Sequence, residues 1–491
     1  MLSHLLPLNP VLLIDGYKAN HWLEMPVDIE NQYVVCVPRK PSKYSKEIVA
    51  AGHSLLASFL ASVRITEEHI DEAEVEITEQ GYNFNRKGWE YIVRELDGKL
   101  PLEMFGVEEG RVVLPQTPIA AFVNTGGYET AWLPTYIETF AQSTLWKMST
   151  VASVCRTVRK TLETVCDEVG TDKALVNYML HNFGDRGADS PNEAAVMAGI
   201  AHAMLFDGSD CTRANRYIKK LYGTSKATTT SIEATEHSVM CMNSNAEKRD
   251  DWGAAVMLVN RLYARVKSFK EDGIGIPVIS GVIDTYDSKR FVRDYLGGEV
   301  LRPLIEQSGG KLVCRPDSGD PEVEPGEIGD ILFEQFKNGY VNSVGYKVLA
   351  PCVAVIQGDG IRVDTHEGVV RAWVNKGFAL DSFCLGMGSG VTHDGARDDF
   401  SFSMKAVAEK RIGHSWKKML KEPITDIGKK SLSGLVFCQE QEDGTLEVVN
   451  ALDTGEVFKV FASAPGWRRW YADGYRDWRQ SFTDVQRRAR S

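Results

Sequence analysis

The chain has 491 residues, 43% of them hydrophobic and 25% charged, enough for two or three cores at roughly 100–200 residues per domain. A formal net charge of −11 and a pI near 5.5 argue against a molecule built all over to hold nucleic acid or an anionic membrane, so the expected partners are small. Nine scattered cysteines without a C-x-x-C pair argue against a zinc site or a disulfide framework, and read as reduced thiols in a cytoplasmic setting.

The opening MLSHLLPLNPVLLIDGYK has no basic leader and no small-residue cleavage pattern, so it reads as neither a secretion signal nor a membrane anchor. Residues 1–145 mix patterns: EIVAAGHSLLASFLASV has helical apolar spacing, whereas GRVVLPQTPIAAFVN reads as two strands around Pro115 and Pro118. From 146 to 395 the style changes. Strand-like runs end repeatedly in short polar loops: ALVNYMLHNF in GDRG, ATTTSIEA in TEHS, IPVISGVI in DTYD, KLVC in RPDSGDP, VLAPCVAVI in QGDG, and DSFCL in GMGSG. Helical spacing often follows, as with Ile328, Ile331, Leu332 and Phe336 after RPDSGDP, and Asp364 and Thr365 read as caps for EGVVRAWV. Strands alternating with helices predict parallel α/β units, in which the loops at the carboxyl ends of the strands converge on one site. Residues 396–491 are mixed again, with KSLSGLVFCQ, TLEVVN and EVFKVF as strands and RRWYADGYRDWRQSFTDVQRRARS as a basic, amphipathic surface helix.

The polar loops suit a phosphorylated sugar. GMGSG (Gly386 to Gly390) and QGDG (Gln357 to Gly360) read either as bare turns or as backbone amides offered to an anion, and neither is a Walker A or a dinucleotide fingerprint. Asp284, Asp287, Asp317 and Asp359 stand at strand ends without His or Cys partners in sequence, a pattern that fits Mg²⁺ or a ribose diol as well as helix capping. Arg186, Arg315, Arg397, Lys405, Lys421 and Lys429 recur nearby; arginine grips phosphate in a bidentate way, and a solvated face is the other reading for the lysines. His237, after Glu236, is either structural or a proton shuttle or phosphoryl acceptor.

Taken in order, DGYKANH (15–21), HNFGDRG (181–187), FDGSD (206–210), EHS (236–238), DTYD (284–287), RPDSGDP (315–321), IQGDG (356–360), GMGSG with ARDDFSFSMK (396–405), and KEPITDIGKK (421–430) resemble the type II phosphoribosyltransferases, and within them the nicotinamide phosphoribosyltransferases. The resemblance implies an irregular α/β barrel, here 146–395, carrying the site, and a second mixed α+β domain built from both chain ends, 1–145 and 396–491. It implies transfer of a 5-phosphoribosyl group from phosphoribosyl pyrophosphate to nicotinamide, with Mg²⁺ as cofactor and ATP as co-substrate, in a cytoplasmic homodimer whose active sites lie at the subunit interface. No nucleic acid and no membrane is implied.

By the same resemblance Phe183 would stack on one face of the base and Tyr17 of a second subunit on the other, Asp210 would accept from the carboxamide, and Arg186 and Arg315 would sit by the ring and sugar. Asp317 and Asp359, with Gly358 beside them, would meet the ribose hydroxyls, and Asp287 would meet the magnesium and pyrophosphate. Gly388 and Ser389 would receive the 5′-phosphate with Arg39, Arg397 and Lys405, and His237 would take a phosphate from ATP near Lys421 and Lys429. The pattern departs from the family at Asp185, where an aromatic residue is usual; at Ile283, in place of a serine before the DTYD acids; and at Met387 and Ser389. Ile283 is expected to dry or narrow a channel to the ring. Use of nicotinate as the base, or a catalytically silent nucleotide-binding role on the same fold, are the alternatives.

Overall fold

The computed structural model describes residues 8–190, 193–425, 430–453, 461 and 464–491. The chain forms two compact units, one of Met1–Ser153, Tyr217–Ser225 and Gly395–Ser491, the other of Val154–Arg216 and Lys226–Asp394.

The first unit is organised by a seven-stranded antiparallel sheet that draws strands from both chain ends. Ile29–Val37 lies between Ser403–Arg411 and Ala120–Asn124, and Leu102–Val107 pairs with Ala120–Asn124 on one side and Trp467–Ala472 on the other. Its core buries Trp89, Phe122, Phe400, Phe402, Trp470 and Tyr471. Two sequence expectations change here. EIVAAGHSLLASFLASV is not one helix: Ile48–Val49 pairs with Val112–Val113, and the helix His53–Ser62 begins after Gly52, whose φ of +100° ends the strand geometry. The basic tail is a helix only over Phe482–Arg490; before it Trp467–Ala472 and Tyr475–Arg476 form a hairpin, because burying Trp470 and Tyr471 outweighs the exposed helical pattern. The run EVFKVF lies outside the described residues except for Phe461.

The second unit is the predicted parallel α/β body. Its strands stand in the order Leu180–Asn182, Phe383–Met387, Val353–Gln357, Lys311–Arg315, Val278–Val282, Glu233–Ala234, every neighbour parallel. Parallel bridges Asn182↔Ser209 and Gly208↔Thr230 carry the pairing from one edge toward the other, which makes the sheet an irregular barrel. Side chains alternate as a strand requires. Leu312, Cys314, Val353 and Val355 are buried outward, while Val313, Ala354 and Ile356 form a small cluster with Phe183, Ile232, Val278 and Cys384. The flanking helices pack closely: a Cβ on Gly281 would lie 2.5 Å from Leu258 of the helix Trp252–Asp272. Helix Glu324–Gln335 buries Ile328, Ile331 and Leu332, with Phe336 following them inside, as their spacing predicts. Thr365 is the N-cap residue of helix His366–Asn375, but its hydroxyl accepts from Arg362 N and donates to Gly360 O instead of capping. All nine cysteines are free thiols, and no helix among the described residues is long and apolar enough to cross a membrane.

Candidate active site

The second unit holds a half-open cavity of about 1170 Å³. Alternate residues of three neighbouring strands, continued past one of them by Gly358, form much of its wall: Val278 and Ser280; Lys311, Val313 and Arg315; Ala354, Ile356 and Gly358. The wall is apolar in the middle, and burial pushes the Cys384 thiol up to about 12, so it adds no charge. Polar groups gather at the carboxyl ends of the strands, where Arg186, Asp210, Arg315, Asp317, Gly358, Asp359, Gly388 and Ser389 all line the cavity.

Phe183 extends the Leu180–Asn182 strand by donating its N–H to Met387 O at 2.8 Å, and Asn182 Oδ1 closes the turn by accepting from Gly184 N at 2.8 Å. Its ring lies over Gly386. A Cβ on that glycine would come within 2.0 Å of Phe183 Cε2, so the absence of a side chain at Gly386 makes the floor on which the ring rests. Gly388 opens the short helix Ser389–His393, and a Cβ built on it would meet nothing within 4 Å; that space, beside the first amides of the helix, has room for an anion.

Asp210 is fixed by its own N–H to Asn182 O at 3.1 Å. Its carboxylate Oδ1 takes His181 Nε2 at 3.3 Å and the Ser231 hydroxyl in a shorter contact. Burial would raise the Asp210 carboxyl, but the His181 and Ser231 hydrogen bonds and the Arg315 charge outweigh it and hold it below its ordinary value, so the group is an anion.

Arg315, 16% exposed, donates Nη1 to Asp317 Oδ1 at 3.0 Å and Nη2 to Thr235 O at 3.4 Å. The DTYD loop reaches this cluster through Asp284. Its side chain is 7% exposed; Oδ1 lies 3.0 Å from His237 Nε2, and Oδ2 accepts from Asp317 N at 3.0 Å and Ser318 Oγ at 2.5 Å. His237 Nδ1 stands 3.6 Å from Asp317 Oδ2, which brings histidine, two carboxylates and a guanidinium together. Asp287 is placed differently. It is exposed, accepts from Arg290 N at 2.9 Å to cap the helix Ser288–Arg290, and is not among the lining residues. Among the described residues no set of three or more His, Cys, Asp or Glu side chains is gathered to hold a metal ion by itself.

Tyr17, Arg39, Arg397, Lys405 and Lys421 belong to the first unit. Tyr17 is 54% exposed beneath Lys18 Nζ; Arg39 Nε donates to Ser401 O at 2.9 Å, and Arg397 is engaged by its neighbour Asp398. Lys429 lies outside the described residues. The departures have local explanations: Asp185 pairs with Arg213 Nη2 at 2.7 Å, and Met387 is buried. Ile283 is 1% exposed and does not line the cavity, so it neither dries nor narrows it.

Sequence reading missed three features: the link from Asp284 to His237, the pair His181 and Ser231 on Asp210, and Arg362, whose Nη2 lies 2.6 Å from the buried Asp394. A signal existed for His181, since a strand period of two places it on the same face as Phe183.

A family model described as the nicotinate phosphoribosyltransferase (NAPRTase) family matches residues 178–456, more than half of the chain. The chain belongs to that family. A nicotinamide phosphoribosyltransferase N-terminal domain model matches residues 9–104. A nicotinamide phosphoribosyltransferase of Xanthomonas campestris pv. campestris is 32% identical over 427 residues, covering 87% of this chain and 86% of that protein. One of Acinetobacter baylyi is 29% identical over 474 residues, 89% of each chain. Two solved structures share the fold: nicotinate-nucleotide pyrophosphorylase from Pyrococcus furiosus (TM-score 0.59, 13% identity) and human nicotinic acid phosphoribosyltransferase (0.54, 15%), each alignment covering 97% of this chain and 93% of the other.

Gly386→Ala drives a methyl group into the Phe183 ring. The expected outcome is a fall in kcat/KM for the pyridine base of about tenfold to a hundredfold with circular dichroism unchanged; full activity would show that the ring needs no such floor.

Proposed function

We propose that the chain is a nicotinamide phosphoribosyltransferase, forming nicotinamide mononucleotide and pyrophosphate from nicotinamide and 5-phosphoribosyl 1-pyrophosphate in NAD salvage. The observation that carries the choice of base is Asp210, an ionised acceptor on the cavity wall whose Oδ2 has no partner among the described residues. It can accept from a carboxamide N–H₂ and repels a carboxylate. The names of the relatives from Xanthomonas and Acinetobacter, and the matched N-terminal domain, support the same base.

In the reaction the ring nitrogen forms a bond to the anomeric carbon as the bond to pyrophosphate breaks, with oxocarbenium character between, so no proton need move. Phe183 orients the ring from one face, and Arg315 and Arg186 supply positive charge beside the sugar and its leaving group. Asp317 and Asp359 line the rim where ribose hydroxyls would be held, next to Gly358. The 5′-phosphate would rest against the amides at Gly388 and Ser389. Mg²⁺ would enter with the pyrophosphate and stabilise the charge of the leaving group; Asp317 on the cavity wall would offer it a hard oxygen donor, and Asp287, exposed outside the lining, would have to reach it from the helix that it caps.

Two further parts belong to the reading. His237, held by Asp284, would accept a phosphate from ATP and so couple hydrolysis to turnover. A homodimer would supply Tyr17 of the partner subunit as the second stacking ring, with the partner's Arg39, Arg397 and Lys405 at the phosphate; the exposure of Tyr17 supports this. The free thiols and the small anionic substrates fit a cytoplasmic enzyme without nucleic-acid or membrane partners.

Purified protein given phosphoribosyl pyrophosphate and Mg²⁺ should make mononucleotide from nicotinamide with kcat/KM at least about tenfold above that for nicotinate, and chelating the magnesium should stop it. Product from nicotinate alone would refute the base assignment. His237→Ala is expected to keep slow basal synthesis and lose stimulation by ATP; if labelled ATP leaves no acid-labile phosphate on the wild-type chain, the phosphohistidine step is absent. Light scattering at assay concentration should read a dimer, and a fully active monomer would contradict the placement of Tyr17.

A further inference from the structure

His181 takes no part in the roles assigned above, yet its ring is held on several sides beside Asp210. Its side chain is 13% exposed. One side of the ring lies against Gly208, where a Cβ would come within 2.6 Å of Nδ1, and Phe183 packs at 5.1 Å between ring centroids and 48°. Nε2 is therefore the nitrogen directed at Asp210 Oδ1, 3.3 Å away, and at Ser231 Oγ, 3.2 Å away. Because an ionised carboxylate only accepts, Nε2 approaches it as N–H and the Ser231 hydroxyl donates as well. Both donors fall on the same oxygen. A carboxylate without them can turn about its terminal torsion, where the rotamer wells are broad, and offers the base a blurred acceptor. Pinned at Oδ1, it offers Oδ2 in one place.

We infer that His181 is a positioning residue for base selection, its Nε2–H acting with the Ser231 hydroxyl to fix Asp210 Oδ1 so that Oδ2 is the single acceptor presented to the carboxamide. This rests on the nicotinamide reading above. The effect falls on recognition of the base and not on the bond change, because His181, though it lines the cavity, acts through its contact with Asp210, and the bond change calls for no proton transfer.

The experiment compares wild type with His181→Leu, His181→Gln and Ser231→Ala, measuring kcat and KM for nicotinamide, nicotinate and phosphoribosyl pyrophosphate. His181→Leu should raise KM for nicotinamide about tenfold, leave kcat within about threefold, leave KM for phosphoribosyl pyrophosphate unchanged, and lower the preference for nicotinamide over nicotinate by a similar factor. Glutamine places an N–H where Nε2 stands, so His181→Gln should recover most of the loss, and Ser231→Ala should move the same constants in the same direction. Equal losses in the leucine and glutamine variants, a loss carried by kcat or by phosphoribosyl pyrophosphate, or an unchanged base preference would each overturn the inference. If the leucine variant fails to fold, the glutamine and Ser231→Ala constants decide it alone. Wild type that turns over nicotinate and ignores nicotinamide would remove the underlying reading, an outcome distinct from any change among the variants.

Discussion

One nearly buried carboxylate holds the polar end of the barrel together. Asp284 follows the Val278–Val282 strand, and its two oxygens bind three groups from two other loops: His237 by Oδ1, and the Asp317 amide and Ser318 hydroxyl by Oδ2. Arg315 then ties the same loop to Thr235 O, so the segments after three neighbouring strands are fastened to one charge network. Burying an ionised group is costly unless its hydrogen bonds are made, and here they are made by the loops that the site needs. The convergence of parallel strands brings these loops near one another; the Asp284 contacts set their register.

Below that rim the cavity changes character. Val313, Ala354, Ile356 and Cys384 give it an apolar wall, and Phe183 occupies the space that Gly386 leaves by having no side chain. An apolar wall lowers the local dielectric, so the charge of Arg315, 16% exposed, acts more strongly on a bound sugar than it would in water, whereas Asp210, with a half-exposed side chain, depends on its hydrogen bonds for placement. Geometry therefore separates two tasks: an apolar surface for an aromatic ring, and a charged rim for phosphates and hydroxyls. A cationic transition state with an anionic leaving group needs that separation.

Much of this was legible before the structure. The strand-then-polar-loop rhythm between 146 and 395 predicted parallel units and placed Arg315, Asp317, Asp359 and Gly388 at strand ends, because a continuous apolar run followed by Asp, Gly and Ser has few other readings. What failed to show were contacts across long sequence separations. Asp284 and Asp287 have the same chemistry three residues apart, and only the turn between them decides that one faces His237 while the other caps a helix. The basic tail illustrates the opposite error: charge periodicity suggested a helix, while Trp470 and Tyr471 paid for a strand by burial in a sheet edge contributed by the other end of the chain. The helical pattern before residue 62 yielded to Gly52 for a local reason that the sequence did contain.

We propose that Asp210 selects the base by accepting from its carboxamide. A crystal structure of the complex with nicotinamide tests it most directly. The ring is expected flat against Phe183, with the carboxamide nitrogen within hydrogen-bond distance of Asp210 Oδ2 while His181 and Ser231 stay on Oδ1. A base bound away from Phe183, or a carboxamide whose nitrogen is turned from Asp210, would contradict it.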